Sequence, residues 1–203
     1  MIALGALWIA WCAVHSLLIA TSVQQWFDCQ NKIWRGLYRL GYVCFSITSL
    51  ICLVLYTASL PQRPLPLPGW MCPIQTLLFV YALVMFIGGV KVYDLQTFLG
   101  IRQWRDFRAG RENAPMPFVT VGVLRYVRHP WYSGGIALLW SLPGLTDLTL
   151  LSRTILSCYL LIGTILEERK LKKNLGEAYQ SYCLQVPMLF PWRLHREKNT
   201  CSE

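Results

Sequence analysis

Five long runs of apolar residues constrain this chain more than anything else in it. Met1 to about Thr21, Leu40 to about Leu60 and Pro73 to about Val92 are each about 20 residues long, enough for a helix rising 1.5 Å per residue to cross a bilayer core. Two further runs, Trp131 to Leu142 and Leu150 to Leu166, are separated by Pro143-Gly144 and read as an antiparallel helical hairpin. Backbone groups inside lipid must be satisfied within their own segment, so the expected fold class is an all-α integral membrane protein with about five transmembrane helices. A mean hydropathy of +0.40, with 14% charged residues, agrees. One domain is expected over residues 1–203, with three amino-terminal spans in 1–92 and the chemistry in 93–203. The first run lacks a basic start and reads as a retained span rather than a cleaved signal peptide.

The formal net charge of +9 is unevenly placed. Lys32, Arg35 and Arg39 follow the first span. Arg102, Arg105, Arg108, Arg111, Arg125 and Arg128 lie between the third and fourth, and Arg169, Lys170, Lys172, Lys173, Arg193, Arg196 and Lys198 follow Leu166. The other connections hold only Arg63 and Arg153. The positive-inside rule then predicts an outside amino terminus, a cytosolic carboxyl terminus and, for a bacterial chain, residence in the inner membrane. Topology accounts for the charge, and no nucleic-acid module is visible. The eight cysteines are scattered, without a C-x-x-C, so neither a metal site nor a disulfide framework is expected. Pro61 to Pro68 reads as a proline-stiffened external connector.

Ionisable groups gather at one end of the hairpin. Arg128-His129-Pro130-Trp131-Tyr132-Ser133-Gly134 opens its first arm, and Glu167-Glu168-Arg169 closes its second. Convergent charges at the end of a membrane helix pair are a site candidate by default. Pro130 suits a first helical position, so the first-turn amides favour an anionic group, with Arg125 and Arg128 beside them. Gly134 and Gly135 permit close approach by a neighbouring helix or a flat ligand. Glu167 and Glu168 project about 100° apart, so at most one faces the bundle. Tyr179 and Tyr182 share a helix face, and Pro187 and Pro191 end that helix in an extended segment suited to fold back as a lid.

R-H-P-x-Y-x-G, then E-E-R-x-L, G-x-x-Y-x-x-Y and V-P, an ordered set from Arg125 to Trp192, resembles the carboxy-terminal signature of the isoprenylcysteine carboxyl methyltransferase superfamily. His15-Ser16-Leu17-Leu18, Tyr38-Arg39-Leu40, Tyr93-Asp94-Leu95 and Phe98-Leu99-Gly100-Ile101-Arg102-Gln103 look like its bacterial branch of methanethiol S-methyltransferases and NnrU-like proteins. The resemblance implies S-adenosylmethionine as cofactor. It implies a pocket of His129, Pro130, Tyr132 and Gly134, with Glu167 or Glu168 as acceptor and Tyr179, Tyr182, Val186 and Pro187 closing over the adenine. Arg128, His129 and Glu167 are the implied catalytic groups. Asp94, Arg102 and Arg125 are the candidates for an acceptor that is a small thiol, a prenylcysteine-like carboxylate or another lipid-like molecule entering from the membrane lipids.

Plainer readings stand beside these. The arginines flanking spans are ordinary topology determinants, His15 suits a hydrogen bond across helices, and Asp94 suits a helix cap. Tyr179 and Tyr182 suit an interfacial belt, and the two glutamates a solvated helix end paired with Lys170, Lys172 and Lys173. A sterol-reductase-like enzyme using NADPH, or a non-enzymatic membrane protein, are the competing functions.

Overall fold

A computed structural model describes residues 1–30, 32–111 and 118–192. Arg193, Arg196, Lys198 and Cys201 lie outside the described residues, as do the side chains of Lys32 and Arg35. The helices are α1 (Ile2–Ile19), α2 (Thr21–Gln30), α3 (Lys32–Ser59), α4 (Met71–Val92), α5 (Leu95–Leu99), α6 (Ile101–Arg108), α7 (Pro130–Ser141) and α8 (Asp147–Gln185), with one 3₁₀ turn at Gly122–Arg125. The chain is all-helical as expected; among the described residues, strand pairing amounts to one isolated bridge, Pro64 to Thr146.

Among the described residues, four helices are long and apolar enough to cross a membrane: α1, α3 from Gly36, α4 and α8. The expected fourth span is shorter than the others. Helix α7 has 12 residues, about 18 Å of helix, less than a bilayer core. Pro130 begins it, and Leu142, forced into extended backbone by Pro143, ends it. Helix α8 runs the other way, with 39 residues, so it continues well beyond its apolar stretch at Leu166.

The residues cluster into two compact units that alternate along the sequence: 1–69, 93–117 and 143–157 form one, and 70–92, 118–142 and 158–203 the other. Helix α4, grouped with the amino-terminal spans by sequence, therefore packs with the carboxy-terminal half.

In the first unit, α1 and α3 are joined by a ladder of side-chain hydrogen bonds. The Trp8 indole donates to Thr57 Oγ1 (3.2 Å), the Trp11 indole donates to Ser49 Oγ (3.0 Å), and His15 Nε2 bonds the Tyr42 hydroxyl (2.7 Å). Spacings of three and four keep Trp8, Trp11 and His15 on one face of α1, and the partners descend in sequence, so the helices are antiparallel. Lipid offers no hydrophobic drive between helices, and each such bond contributes about 0.6 kcal/mol and sets register. Leu4, Trp8, Leu53 and Leu148 form the apolar cluster beside it. His15 thus takes the cross-helix role expected of it.

The Pro61–Pro68 segment is more than a connector. Leu65 N–H donates to Leu145 O (2.9 Å) and Asp147 N–H to Arg63 O (3.1 Å), while Arg63 N–H donates to Asp147 Oδ1 (3.0 Å). These bonds tie it to the start of α8.

Gly100 both ends α5 and begins α6, at φ 87°. Its missing side chain admits the backbone of α3: a Cβ there would lie 2.6 Å from Leu40 N. In the second unit the α4–α7 contact is also built from small residues. Ala82 is buried against Gly134, where a Cβ would meet the Met85 Cβ at 3.0 Å, and the Trp131 indole fills the space above Gly89. Outward-facing Leu77, Val84 and Ile87 suit lipid.

Gly100→Ala and Gly110→Ala separate backbone strain from crowding. Gly110 is also left-handed (φ 65°) but has nothing within 4 Å, so its substitution should cost about 1 kcal/mol. Gly100→Ala should cost clearly more, read as the larger drop in thermal midpoint in detergent; equal drops would show that the α3 contact is unimportant.

Candidate functional site

Beyond Leu166, α8 carries Glu167 and Glu168 out of its apolar stretch, and their neighbouring positions give them opposite fates. Glu168 is buried, whereas the Glu167 side chain is 42% exposed. The Arg128 guanidinium grips Glu168 in a fork, Nε donating to Oε1 and Nη2 to Oε2, both at 2.9 Å. His129 Nε2 (2.8 Å) and the Tyr179 hydroxyl (2.7 Å) also donate to Oε1. Burial alone would raise the Glu168 carboxyl, but Arg128, Tyr179 and His129 outweigh it and hold it at about 2. Burial and the hydrogen bond to Glu168 together push the Tyr179 phenol up, so it remains a donor.

Tyr179 reaches Glu168 only because the helix breaks. Eleven residues of straight helix would separate the two by about 16 Å. Gly176, at φ 57° and ψ −134°, turns the chain, a conformation open essentially to glycine. After Gln185 the segment 186–190 folds back, as the lid expectation required, and is pinned in place. Arg128 N–H donates to Pro187 O (3.0 Å), His129 N–H to Met188 O (3.1 Å) and Arg128 Nη1 to Cys183 O (3.1 Å) and to Val186 O.

Because Glu168 is an ionised acceptor, the hydrogen of the His129 ring sits on Nε2 when the ring is neutral. Nδ1 then faces Glu167, whose Oε2 is 4.0 Å away. Tyr132 stands edge-on to His129, with ring centres 5.8 Å apart. His129 itself is buried, so Glu167 and the partly exposed Tyr132 form the accessible edge of the cluster.

The remaining expected residues sort as follows. Arg128, placed by sequence among the reacting groups, directs all three guanidinium nitrogens at protein acceptors. Pro130 is buried at the start of α7. Gly134 and Gly135 admit helix neighbours, Met85 and Leu160. Tyr179, Tyr182 and Val186 form a buried cluster, and the Tyr182 hydroxyl donates to Leu124 O (2.6 Å). Phe118, 40% exposed, packs edge-on against both tyrosine rings. Pro187 is buried in the returning segment, and Arg125 is exposed. Asp94 and Arg102 belong to the first unit, where they pair at 2.7 Å and Asp94 caps α5. The Thr97 hydroxyl, followed by backbone amides and Arg102, holds the Asp94 carboxyl below its usual range. Among the described residues no cluster of metal ligands occurs.

The family model described as NnrU protein matches residues 3–183. The chain belongs to the NnrU protein family. It is similar to a methanethiol S-methyltransferase of Bradyrhizobium diazoefficiens, 31% identical over 88% of this chain and 62% of that protein. Methanethiol S-methyltransferases of Crocosphaera subtropica (29% identical; 88% of this chain, 69% of that one) and of a Pseudomonas species (32%; 89% and 69%) are also similar. The chain thus spans under two thirds of the Bradyrhizobium protein's length. No solved structure matches it. With four apolar helices, this NnrU-family chain is an integral membrane protein.

Sequence reasoning missed Tyr81. Its hydroxyl makes a short hydrogen bond with Ser133 and donates to Leu189 O (3.1 Å), so α4 holds the returning segment too. The available signal was a tyrosine inside an apolar span, whose hydroxyl demands a partner.

The depressed Glu168 pKa carries a signed prediction. Stability from this group is fully present above its ordinary value of 4.5 and drains away as pH falls toward 2. The thermal midpoint of the wild type should fall over that window, and Glu168→Gln should lack this component. At neutral pH the same substitution strips Arg128 of its counter-charge and should cost about 3 kcal/mol. A neutral-pH midpoint unchanged in Glu168→Gln would remove the ion pair from any structural role.

Proposed function

We propose that this NnrU-family protein is a membrane methyltransferase that moves a methyl group from S-adenosylmethionine to a small thiol of the methanethiol type, at a site facing the cytosol. The observation that carries the reading is the His129–Glu167 pair: a buried, fixed imidazole behind an exposed carboxylate, in a chain whose matched relatives bear the name methanethiol S-methyltransferase.

The residues present suit the cofactor's chemistry. Its ammonium and ribose hydroxyls require an acceptor. Glu167 is the glutamate that fits, because Glu168 already accepts from three side chains on one oxygen. Its carboxylate requires a cation, and Arg125, exposed ahead of α7, is suited, whereas Arg128 is engaged by Glu168. Phe118, backed by Tyr179 and Tyr182, offers a partly exposed aromatic face for the adenine. When bound, S-adenosylmethionine supplies an electrophilic methyl group on its sulfonium.

An ionised thiol is already a strong nucleophile, so the protein's work is to align and dehydrate. Glu168 fixes the imidazole plane of His129. Arg128 and Tyr81 hold the segment 186–190 against the start of α7, so the site has a rigid wall without relying on loop closure. The His129 ring is held with Nδ1 toward Glu167.

Titration of S-adenosylhomocysteine into purified protein tests the reading, with dimethyl sulfide formation from methanethiol as the activity readout. His129→Ala and Glu167→Gln should each weaken binding at least about tenfold, the loss of one charge-assisted contact. A well-folded wild type that ignores S-adenosylhomocysteine would overturn the reading, and one that binds NADPH instead would point to a reductase.

A further inference from the structure

We infer that Arg39, in the first unit, forms a binding site for the phosphate of an anionic phospholipid; this is independent of the methyl-transfer site in the second unit. Arg39 stands where the apolar run of α3 begins. Its Nε donates to Phe98 O (3.0 Å), and its guanidinium lies over the rings of Phe98 (5.4 Å) and Tyr42 (5.9 Å). Three anchors therefore lock the side chain in one orientation. Gly100, packed on the backbone of Arg39 and Leu40, locks α5 and α6 in the same place.

What the anchors leave over is the ligand-binding part of the group. Among the described side chains, none accepts from Arg39 Nη1 or Nη2. The carboxylates of this unit whose side chains are described are committed elsewhere: Asp94 to Arg102 (2.7 Å), Asp106 to Arg111 (3.4 Å) and Asp147 to Arg63 N–H (3.0 Å). A cation at the end of a membrane span with two unspent, parallel nitrogens is costly without an anion. The fork matches two oxygens of one phosphate and is held ready for them.

The surroundings favour a lipid over a free ion. Leu95 (41%), Phe98 (43%) and Ile101 (38%) expose apolar surface along α5 and the start of α6, beside the Phe98 carbonyl that anchors Arg39. A headgroup phosphate on Arg39 would let its acyl chains run over these side chains. Arg105 and Arg108, on α6, add positive charge that draws anionic lipid to this surface.

Native mass spectrometry of protein released from nanodiscs containing equal amounts of phosphatidylglycerol and phosphatidylcholine tests the site. The wild type should retain phosphatidylglycerol preferentially. Arg39→Gln should weaken that retention about tenfold, and Arg39→Lys, which keeps the charge but not the fork, by less. Arg108→Gln, which removes an equal but unanchored charge, should leave it within about twofold. Equal retention of both lipids by the wild type would overturn the site without reference to any variant. So would equal losses in Arg39→Gln and Arg108→Gln, or displacement of the lipid by inorganic phosphate alone.

Discussion

A buried carboxylate is the interaction on which the second unit depends. Taking Glu168 out of water costs several kcal/mol, and only well-aligned donors offset that. Arg128 and His129, from the approach to α7, and Tyr179, from the helix beyond Gly176, supply them. The ionised carboxylate thus joins the approach to α7, the body of α8 and the helix beyond Gly176. Arg128 passes the constraint on, because its remaining nitrogen holds the end of α8 at Cys183 and the returning segment at Val186. The buried imidazole behind Glu167 is therefore set by a charge that a ligand need not touch.

The first unit is organised differently. Its α1–α3 interface contains neutral pairs of indole with hydroxyl and imidazole with phenol, whose individual contributions are small. Their spacing sets a register. Charge is confined to the end of this interface, at Arg39, where aromatic faces and one carbonyl anchor a guanidinium. Among the described residues, the buried salt bridge is Arg128–Glu168, and the same carboxylate holds His129.

Much of this was legible in the residues. The apolar runs, the proline that opens α7, the break at Pro143 and the return of the chain after Gln185 all follow from hydropathy and backbone chemistry. The choice between Glu167 and Glu168 did not, because the rotation of a helix about its axis is set by its partners. Arg128 illustrates the same limit: a basic residue beside a membrane helix can face solvent, a ligand or a buried carboxylate, and composition does not distinguish them. Tyr81 was hidden because its partners, Ser133 and Leu189, lie 52 and 108 residues away.

By itself, the sequence determined the class of solvent this chain folds in, the apolar stretches of its long helices, the start of α7 at Pro130 and the presence of ionisable groups there and at the end of the apolar part of α8. Those properties follow from local hydrophobicity and from what proline permits. Only the tertiary structure decided which glutamate is buried, that Arg128 clamps it, and that α4 packs with the carboxy-terminal half. Each depends on a pairing between segments remote in sequence. The turn at Gly176 shows why: a glycine permits the reversal, but the ionised Glu168 at the other end gives Tyr179 a reason to return.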